Sequence, residues 1–318
     1  MPLPARIFKT LAGGGPGGLL PDNIVESILE SPYPAMPDPF HAIEETITRD
    51  VTRALTEDMG GGDLTAKLVP ADRAAQARLL TRVDGVLCGT EWFNRTFEEL
   101  DPDIEIFWHH DDGDDIVAGS SLCELEGNAR AMLTAERTAL NFVQLLSGVA
   151  TRTRQFVRAI EGTRARIIDT RKTLPGLRVA QKYAVATGGG TNNRIGLYDG
   201  ILVKENHIHA AGGLKEAIRQ ALHDVDPGMM LQVEVETLDQ LREALDAGAK
   251  LVLLDNFDLA KMREAVKIAG DRAELEASGG VNLQNVRAIA ETGVHRISIG
   301  SLTKDVEALD LSMRFFHR

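Results

Sequence analysis

Cys88 and Cys123 are the only cysteines among the 318 residues. They have no metal-ligand spacing and form no disulfide framework, which excludes a thiolate metal site and fits a reduced, cytoplasmic protein. No apolar run reaches the roughly 18 residues that a membrane span needs. The opening MPLPARIFKT has no apolar signal core, so export is not expected. Aromatics are scarce at 5%, and there is neither a basic stripe nor an aromatic platform, so a nucleic-acid role finds no support. The glycine run from Gly13 to Gly18 lacks the Lys-Ser/Thr that a Walker-type phosphate loop requires.

What the chain does have is unevenly placed charge. It is acidic at formal net −12, with 35 Lys+Arg against 47 Asp+Glu, yet residues 130–207 hold 13 Lys+Arg against 5 Asp+Glu. A positive island on an acidic protein suits a small anionic substrate, although any single cation in it is more often a solvated helix face. Spacing favours a site. Arg171 and Lys172 follow Arg166-Ile-Ile-Asp169, which reads as a buried strand, so both stand where a strand gives way to a loop. In a parallel α/β sheet that edge is where ligands bind. Pro175 reads as the start of a helix through Val185. Gly188, Gly189 and Gly190 then stop it with backbone able to take positive φ and approach a ligand. A second strand from Gly200 ends at Lys204.

Residues 1–40 are rich in Pro and Gly and read as a flexible leader, with a short helix around Ile24–Leu29. Residues 41–130 read as an α+β sandwich domain. Its helix, His41 to Thr56, repeats Ile43, Ile47, Val51 and Leu55 at every fourth position. A tight glycine turn from Glu57 to Thr65 follows, then strands Gln76–Thr81, Gly85–Cys88, Ile104–Trp108 and Ser121–Glu126, with a helix from Glu91 to Leu100. Leu133 to Ile160 reads as one long helix or two abutting at Ser147 and Gly148, with Thr151, Arg152 and Arg154 exposed. From Arg166 strands alternate with helices. Strands are expected at Arg166–Asp169, Gly200–Lys204, Met230–Glu236, Lys250–Asp255, Glu274–Ser278 and His295–Gly300. Helices are expected at Gly213–His223, Thr237–Ala247, Leu259–Gly270 and Asn282–Thr292. Such alternation implies a parallel sheet with helices outside. Six strands fall short of the roughly eight of a full barrel. Residues 131–318 are therefore expected to form an incomplete (β/α) barrel in an α/β chain, with a C-terminal helix packing back on the sandwich.

DTRKTLPGLR, KYAV, GGGTNNR, RIGLYD and ILVKENH together resemble the signature block of the quinolinate phosphoribosyltransferase family. The resemblance, which does not extend over the leader, implies an open barrel joined to a sandwich domain. It also implies the reaction of quinolinate with phosphoribosyl pyrophosphate and Mg²⁺ to nicotinate mononucleotide, pyrophosphate and carbon dioxide, in de novo NAD biosynthesis. Arg137, in TAERT, matches an arginine that grips a substrate carboxylate. Arg82, in LLTRVDG, matches one that reaches the neighbouring subunit's site, which implies a homodimer with shared sites. Asn193 stands where the family generally has a histidine. An amide donates a hydrogen bond but cannot become cationic, so substrate binding should weaken by about 1 kcal/mol.

Chemistry is expected at the carboxyl ends of the barrel strands. Glu234 alternates with Val233 and Val235 and so points into the barrel mouth, and Asp255 ends its strand. Both carboxylates suit Mg²⁺ and the ribose hydroxyls, or an ion pair with a nearby cation. Ser278, Gly279 and Gly280, and Gly300 and Ser301, each precede a helix and are expected to hold the ribose 5′-phosphate. Lys172, with Arg82 from a partner and Mg²⁺, would neutralise pyrophosphate. Arg137, Arg171 and Arg194 would bind two adjacent pyridine carboxylates through planar guanidinium forks, with Asn193 and Lys204 completing the pocket. Two alternatives stay open: a relative acting on another anionic heterocycle, and a non-catalytic binding protein of the same fold.

Overall fold

The computed structural model describes residues 43–224 and 228–316; the leader and its expected helix lie outside the described residues. The chain divides into two compact units that exchange segments. One comprises residues 43–154, 173–189 and 302–316, the other Gln155–Lys172 and Gly190–Ser301.

The first unit is an antiparallel sheet with helices. Helix α1 (Ile43–Met59) buries Ile43, Ile47, Val51 and Leu55, the stripe that its period predicts. Strands β1 (Ala74–Thr81), β3 (Glu105–Trp108), β5 (Ser121–Asn128) and β12 (Leu311–Phe316) form a sheet in the order β12-β1-β5-β3. β2 (Gly85–Val86) and β4 (Asp115–Ile116) make a small pair, and α2 (Thr90–Glu98) lies between β2 and β3 in sequence. Helix α3 (Ala129–Ala159) runs unbroken through Ser147 and Gly148. Ser147 turns inward, its hydroxyl accepting from Cys88 N at 2.9 Å and donating to Cys88 O at 3.1 Å. A Cβ at Gly148 would lie 2.1 Å from Glu307 O, so only glycine admits that strand-leading segment. Helix α4 (Arg178–Thr187) completes the unit.

Three expectations change here. The C-terminal segment is a strand: Leu309, Leu311 and Met313 alternate into a core with Leu79, Phe93 and Leu122, and β12 pairs with β1 over six residues. Helix α4 starts at Arg178 rather than Pro175, because Leu174 to Leu177 form a turn in which Gly176 takes φ +84°. Arg154, expected on an exposed face, is partly buried and caps the end of α4, donating to Gly188 O at 3.0 Å and Thr187 O at 3.2 Å. Thr151 and Arg152 are likewise partly buried, and Thr151 Oγ accepts from Val86 N.

The second unit holds six strands, β6 (Arg166–Ile168), β7 (Gly200–Val203), β8 (Met230–Val235), β9 (Leu251–Asp255), β10 (Glu274–Ser278) and β11 (Arg296–Ser298), all parallel, in the order β6-β11-β10-β9-β8-β7. β6 pairs with the last strand and not with β7, which leaves the barrel open between them. A parallel bridge from Thr191 to Ile168 starts to fill that gap. Helices α5 (Glu205–Ala211), α6 (Leu214–Asp224), α7 (Leu238–Asp246), α8 (Leu259–Ala269) and α9 (Val286–Ala290) follow the strands from β7 onward, and α10 (Ser301–Lys304) follows β11. β9 is buried on both faces, as its run Leu251-Val-Leu-Leu requires. The barrel interior is partly ionic. Arg166 donates to both oxygens of Glu274 at 3.0 Å, and Arg296 donates to the fully buried Glu276 at 2.9 Å.

Candidate active site at the strand ends

Parallel strands in register bring their carboxyl ends to one edge. Ser278 lies opposite Asp255, Glu234 opposite Leu253, and Ser298 opposite Ile168. Since Leu253 and Asp255 share a face, Glu234, Asp255 and Ser278 point to the same side of the sheet.

The loop after β6 and the Thr191–Arg194 segment are built around Asp169, a carboxylate with no exposed surface. It accepts Asn192 Nδ2 at 2.6 Å and Asn193 N at 2.7 Å. Asn193 Oδ1 in turn accepts Arg194 N at 2.8 Å, and Arg194 Nη1 donates to Gly200 O at 2.6 Å. Burial, with the Arg171 guanidinium beside it, pulls Arg194 below the ordinary guanidinium range, against the opposing charge of Asp199. Two cations brought together in partial burial create a local demand for an anion.

Lys204, at the end of β7, meets Glu234 Oε2 at 3.0 Å, with side-chain exposures of 50% and 17%. Of the two roles the sequence left open for Glu234, the ion pair is formed here. Asp255 Oδ2 accepts Asn256 Nδ2 at 3.0 Å. Asn256 has φ +54°, the one positive φ outside glycine among the described residues. A Cβ at Gly279 would sit 2.1 Å from Asn256 Oδ1. One strained asparagine thus touches two residues expected in the site. Across the sheet, a Cβ at Gly300 would sit 2.7 Å from Lys172 Cδ, so the lysine lies over that glycine. Gly280, at φ +61°, has open space where a Cβ would be.

Some expected features differ. Gly279 and Gly280 do not directly precede a helix. Val281 to Asn285 intervene, with Asn282 Oδ1 accepting from Gln284 N and Asn285 N, and α9 starts at Val286 instead of Asn282. Ser301 does open α10, but that helix has four residues and little macrodipole. Phosphate binding at these loops would therefore rest on backbone N–H groups. Gly188 has φ −72° and serves packing, not ligand approach: a Cβ there would lie 2.5 Å from Ala150 O. Asp63, in the turn before β1, accepts Ala66 N, Thr134 Oγ1 and Thr65 N, bonds that hold its carboxyl below the usual range. That turn is structural.

Arg82 and Arg137 belong to the sandwich unit. Arg82, at the end of β1, is half exposed, with Nη1 4.0 Å from Asp310 Oδ2 and its N–H donating to Asp310 O. Arg137 is exposed on α3. For Mg²⁺, the donor set is oxygen only. Among the described residues no group of three or more His, Cys, Asp or Glu side chains could hold a metal ion. Glu234 and Asp255 are oxygen donors of the kind a hard cation takes when its other oxygens come from substrate phosphates. Sequence reasoning missed Asp169, Asn256 and helix α5. Asp169 stood inside the DTRK motif as the residue that ends a buried strand, which was the available signal.

Comparison with known proteins bears on the whole arrangement. The model of the quinolinate phosphoribosyl transferase C-terminal domain matches residues 149–314, and that of its N-terminal domain residues 51–147. A probable nicotinate-nucleotide pyrophosphorylase [carboxylating] of Bacillus subtilis is 42% identical over 257 residues, covering 81% of this chain and 89% of that protein. A mitochondrial quinolinate phosphoribosyltransferase [decarboxylating] of Nicotiana tabacum is 38% identical over 281 residues, covering 82% and 80%. Among solved structures, the nicotinate-nucleotide pyrophosphorylase of Francisella tularensis superposes with a TM-score of 0.83 at 44% identity, over 86% of this chain and 96% of that one. That of Ehrlichia chaffeensis gives 0.81 at 36%, over 85% and 98%. With the two domain models together matching most of residues 51–314, and an open barrel whose strand ends gather the cations of the DTRK-to-KENH block, this chain belongs to the quinolinate phosphoribosyltransferase family.

Proposed function

We propose that this chain transfers the phosphoribosyl group of phosphoribosyl pyrophosphate to quinolinate, forming nicotinate mononucleotide, pyrophosphate and carbon dioxide. The observation that carries this is the set of cations at the strand ends, Arg171 against Arg194 and Lys172 over Gly300, in a chain of this family. Arg171 and Arg194 would grip the two adjacent carboxylates and hold the ring nitrogen toward the anomeric carbon. As the nitrogen attacks, the bond to the pyrophosphate oxygen breaks, positive charge grows on the ribose and negative charge on the leaving group. Glu234 and Asp255 stabilise the first and Lys172 the second. The carboxylate beside the nitrogen then leaves as carbon dioxide. Its bonding electrons stay on the ring carbon, which takes up a proton.

Glu234 and Asp255 are the residues that would hold Mg²⁺, which supplies charge neutralisation at the pyrophosphate oxygens. For Glu234 to turn to that task, its pair with Lys204 must loosen, which frees the lysine for the acidic substrate. Ser278, Gly279, Gly280, Gly300 and Ser301 would bind the 5′-phosphate. We further infer a homodimer in which Arg82 serves the neighbouring site, and a cytoplasmic location consistent with two buried free cysteines.

The test is product formation by purified protein with phosphoribosyl pyrophosphate, Mg²⁺ and either quinolinate or nicotinate. Nicotinate mononucleotide from quinolinate alone is expected, and it would show that Asn193 is tolerated. No product from quinolinate with folded protein overturns the assignment in favour of another anionic heterocycle or a binding role.

A further inference from the structure

Gln181 lies in the first turn of α4 and has no exposed surface. Its Oε1 accepts the N–H of Leu174 at 2.8 Å, and its Nε2 donates to the carbonyl of Thr303 at 2.8 Å. An amide is one of the few side chains with an acceptor and a donor at one tip, so this residue satisfies both partners at once. An apolar side chain there would remove both bonds, to the partly buried Leu174 N–H and to the buried Thr303 carbonyl.

The positions of those partners matter more than their number. Leu174 is two residues beyond Lys172, on the loop that follows β6. Thr303 is two residues beyond Ser301, in the short helix α10 that follows β11. β6 and β11 are neighbours in the sheet, with Ser298 opposite Ile168. Their loops also meet at a second point, where Lys172 Cδ lies 2.7 Å from the place a side chain on Gly300 would occupy. The two segments are therefore fastened by the Gln181 amide two residues beyond Lys172 and two beyond Ser301.

We propose, on the reaction assigned above, that Gln181 is a positioning residue. It touches no substrate. It holds the loop after β6 to the loop after β11, so that Lys172 and the Gly300–Ser301 backbone act on one bound phosphoribosyl pyrophosphate. A residue that only stabilised its unit would change the fraction of folded protein and leave KM alone. A residue that sets the spacing of two loops on the same substrate changes KM for that substrate.

The experiment compares wild type, Gln181→Met, Gln181→Glu and the control Ser147→Ala in steady-state kinetics with each substrate varied, after melting curves on each. Ser147 is also fully buried and also bridges backbone groups in the sandwich unit, but at Cys88, away from these loops. Gln181→Met should raise KM for phosphoribosyl pyrophosphate about tenfold and KM for quinolinate less than about threefold, while Ser147→Ala moves neither. Gln181→Glu keeps the acceptor for Leu174 but, ionised, cannot donate to Thr303; it should show the same selective rise and carries the test should the methionine variant fail to fold. In a Lys172→Ala background, Gln181→Met should cost less than about threefold more, because the lysine it places is gone. An active wild type beside folded Gln181 variants with unchanged KM, or losses that multiply fully with Lys172→Ala, overturns the role of Gln181 and leaves the reaction standing. A wild type that yields no product from quinolinate removes both.

Discussion

Asn256 concentrates strain and contact in one place, and the two can be separated by substitution. Glycine would keep φ +54° at no steric cost while losing the bond to Asp255. Asn256→Gly should leave unfolding free energy within about 1 kcal/mol of wild type and lower kcat/KM about tenfold. Denaturant melts and steady-state rates on the same preparation check both halves, and a variant as active as wild type would remove Asn256 from the site. Gly279→Ala attacks the same contact from the other side, where a Cβ meets Asn256 Oδ1 at φ +107°. Here stability and activity should fall together, with activity down by about a hundredfold because both Asp255 and the loop after β10 move. The cations at the strand ends were legible in the sequence because a Lys or Arg just after a buried apolar run has few other reasons to be there. Asp169 and Asn256 were not. Asp169 reads only as the last residue of a buried strand until the amides that point at it are known, and asparagine takes positive φ more readily than other non-glycine residues, so its presence marks no strained position.

His295 ties three strands together. Its N–H donates to Leu275 O, its Nδ1 accepts Leu275 N at 3.1 Å, and its carbonyl accepts Arg166 N. Burial, then Arg164, holds it below its ordinary 6.5; Arg166 adds to that, and Glu274 and Asp271 oppose it. The neutral ring therefore contributes stability that is complete above pH 6.5 and lost as pH falls through the lowered folded value. His295→Asn keeps an acceptor near Nδ1 but does not titrate, so wild type should lose more stability than the variant between pH 6.5 and the lowered value. Chemical denaturation at stepped pH checks this, and parallel pH profiles would exclude it. At the C-terminus Leu311 is 4% exposed within the sandwich core. Leu311→Ala should cost about 2–4 kcal/mol of stability, measured by urea unfolding, whereas a dispensable tail would cost almost nothing. The six barrel strands were readable because strand and helix patterns alternate between turn residues, even where, as in β10 (Glu274–Ser278), one face carries acids. β12 was misread although Leu309, Leu311, Met313 and Phe315 alternate, since a helix normally follows the last barrel strand. α5 carries no buried residue, so it shows no apolar period.

The division into two units was legible in outline only, because both recruit segments distant in sequence that no local pattern links. If Arg82 serves a neighbouring site, two impaired variants should repair one another. Arg82→Ala and Lys172→Ala, each strongly impaired but measurable alone, should regain about a quarter of wild-type activity after mixing at equal concentration under exchange conditions, since half the dimers are mixed and each of those has one intact site. No recovery, with exchange verified by labelled subunits, would confine each site to one chain. The pairing order has a consequence for how the protein is made. The first barrel strand waits for the last, with Arg166 opposite Arg296, and the sandwich strand β1 waits for β12, with Gln76 opposite Phe316. On the ribosome neither sheet can be completed until almost all of the described chain has emerged, and such high contact order makes folding slow and late. A nascent chain stalled before residue 296 would expose an unpaired edge on both units at once, which gives chaperones and proteases a clear mark of incomplete synthesis.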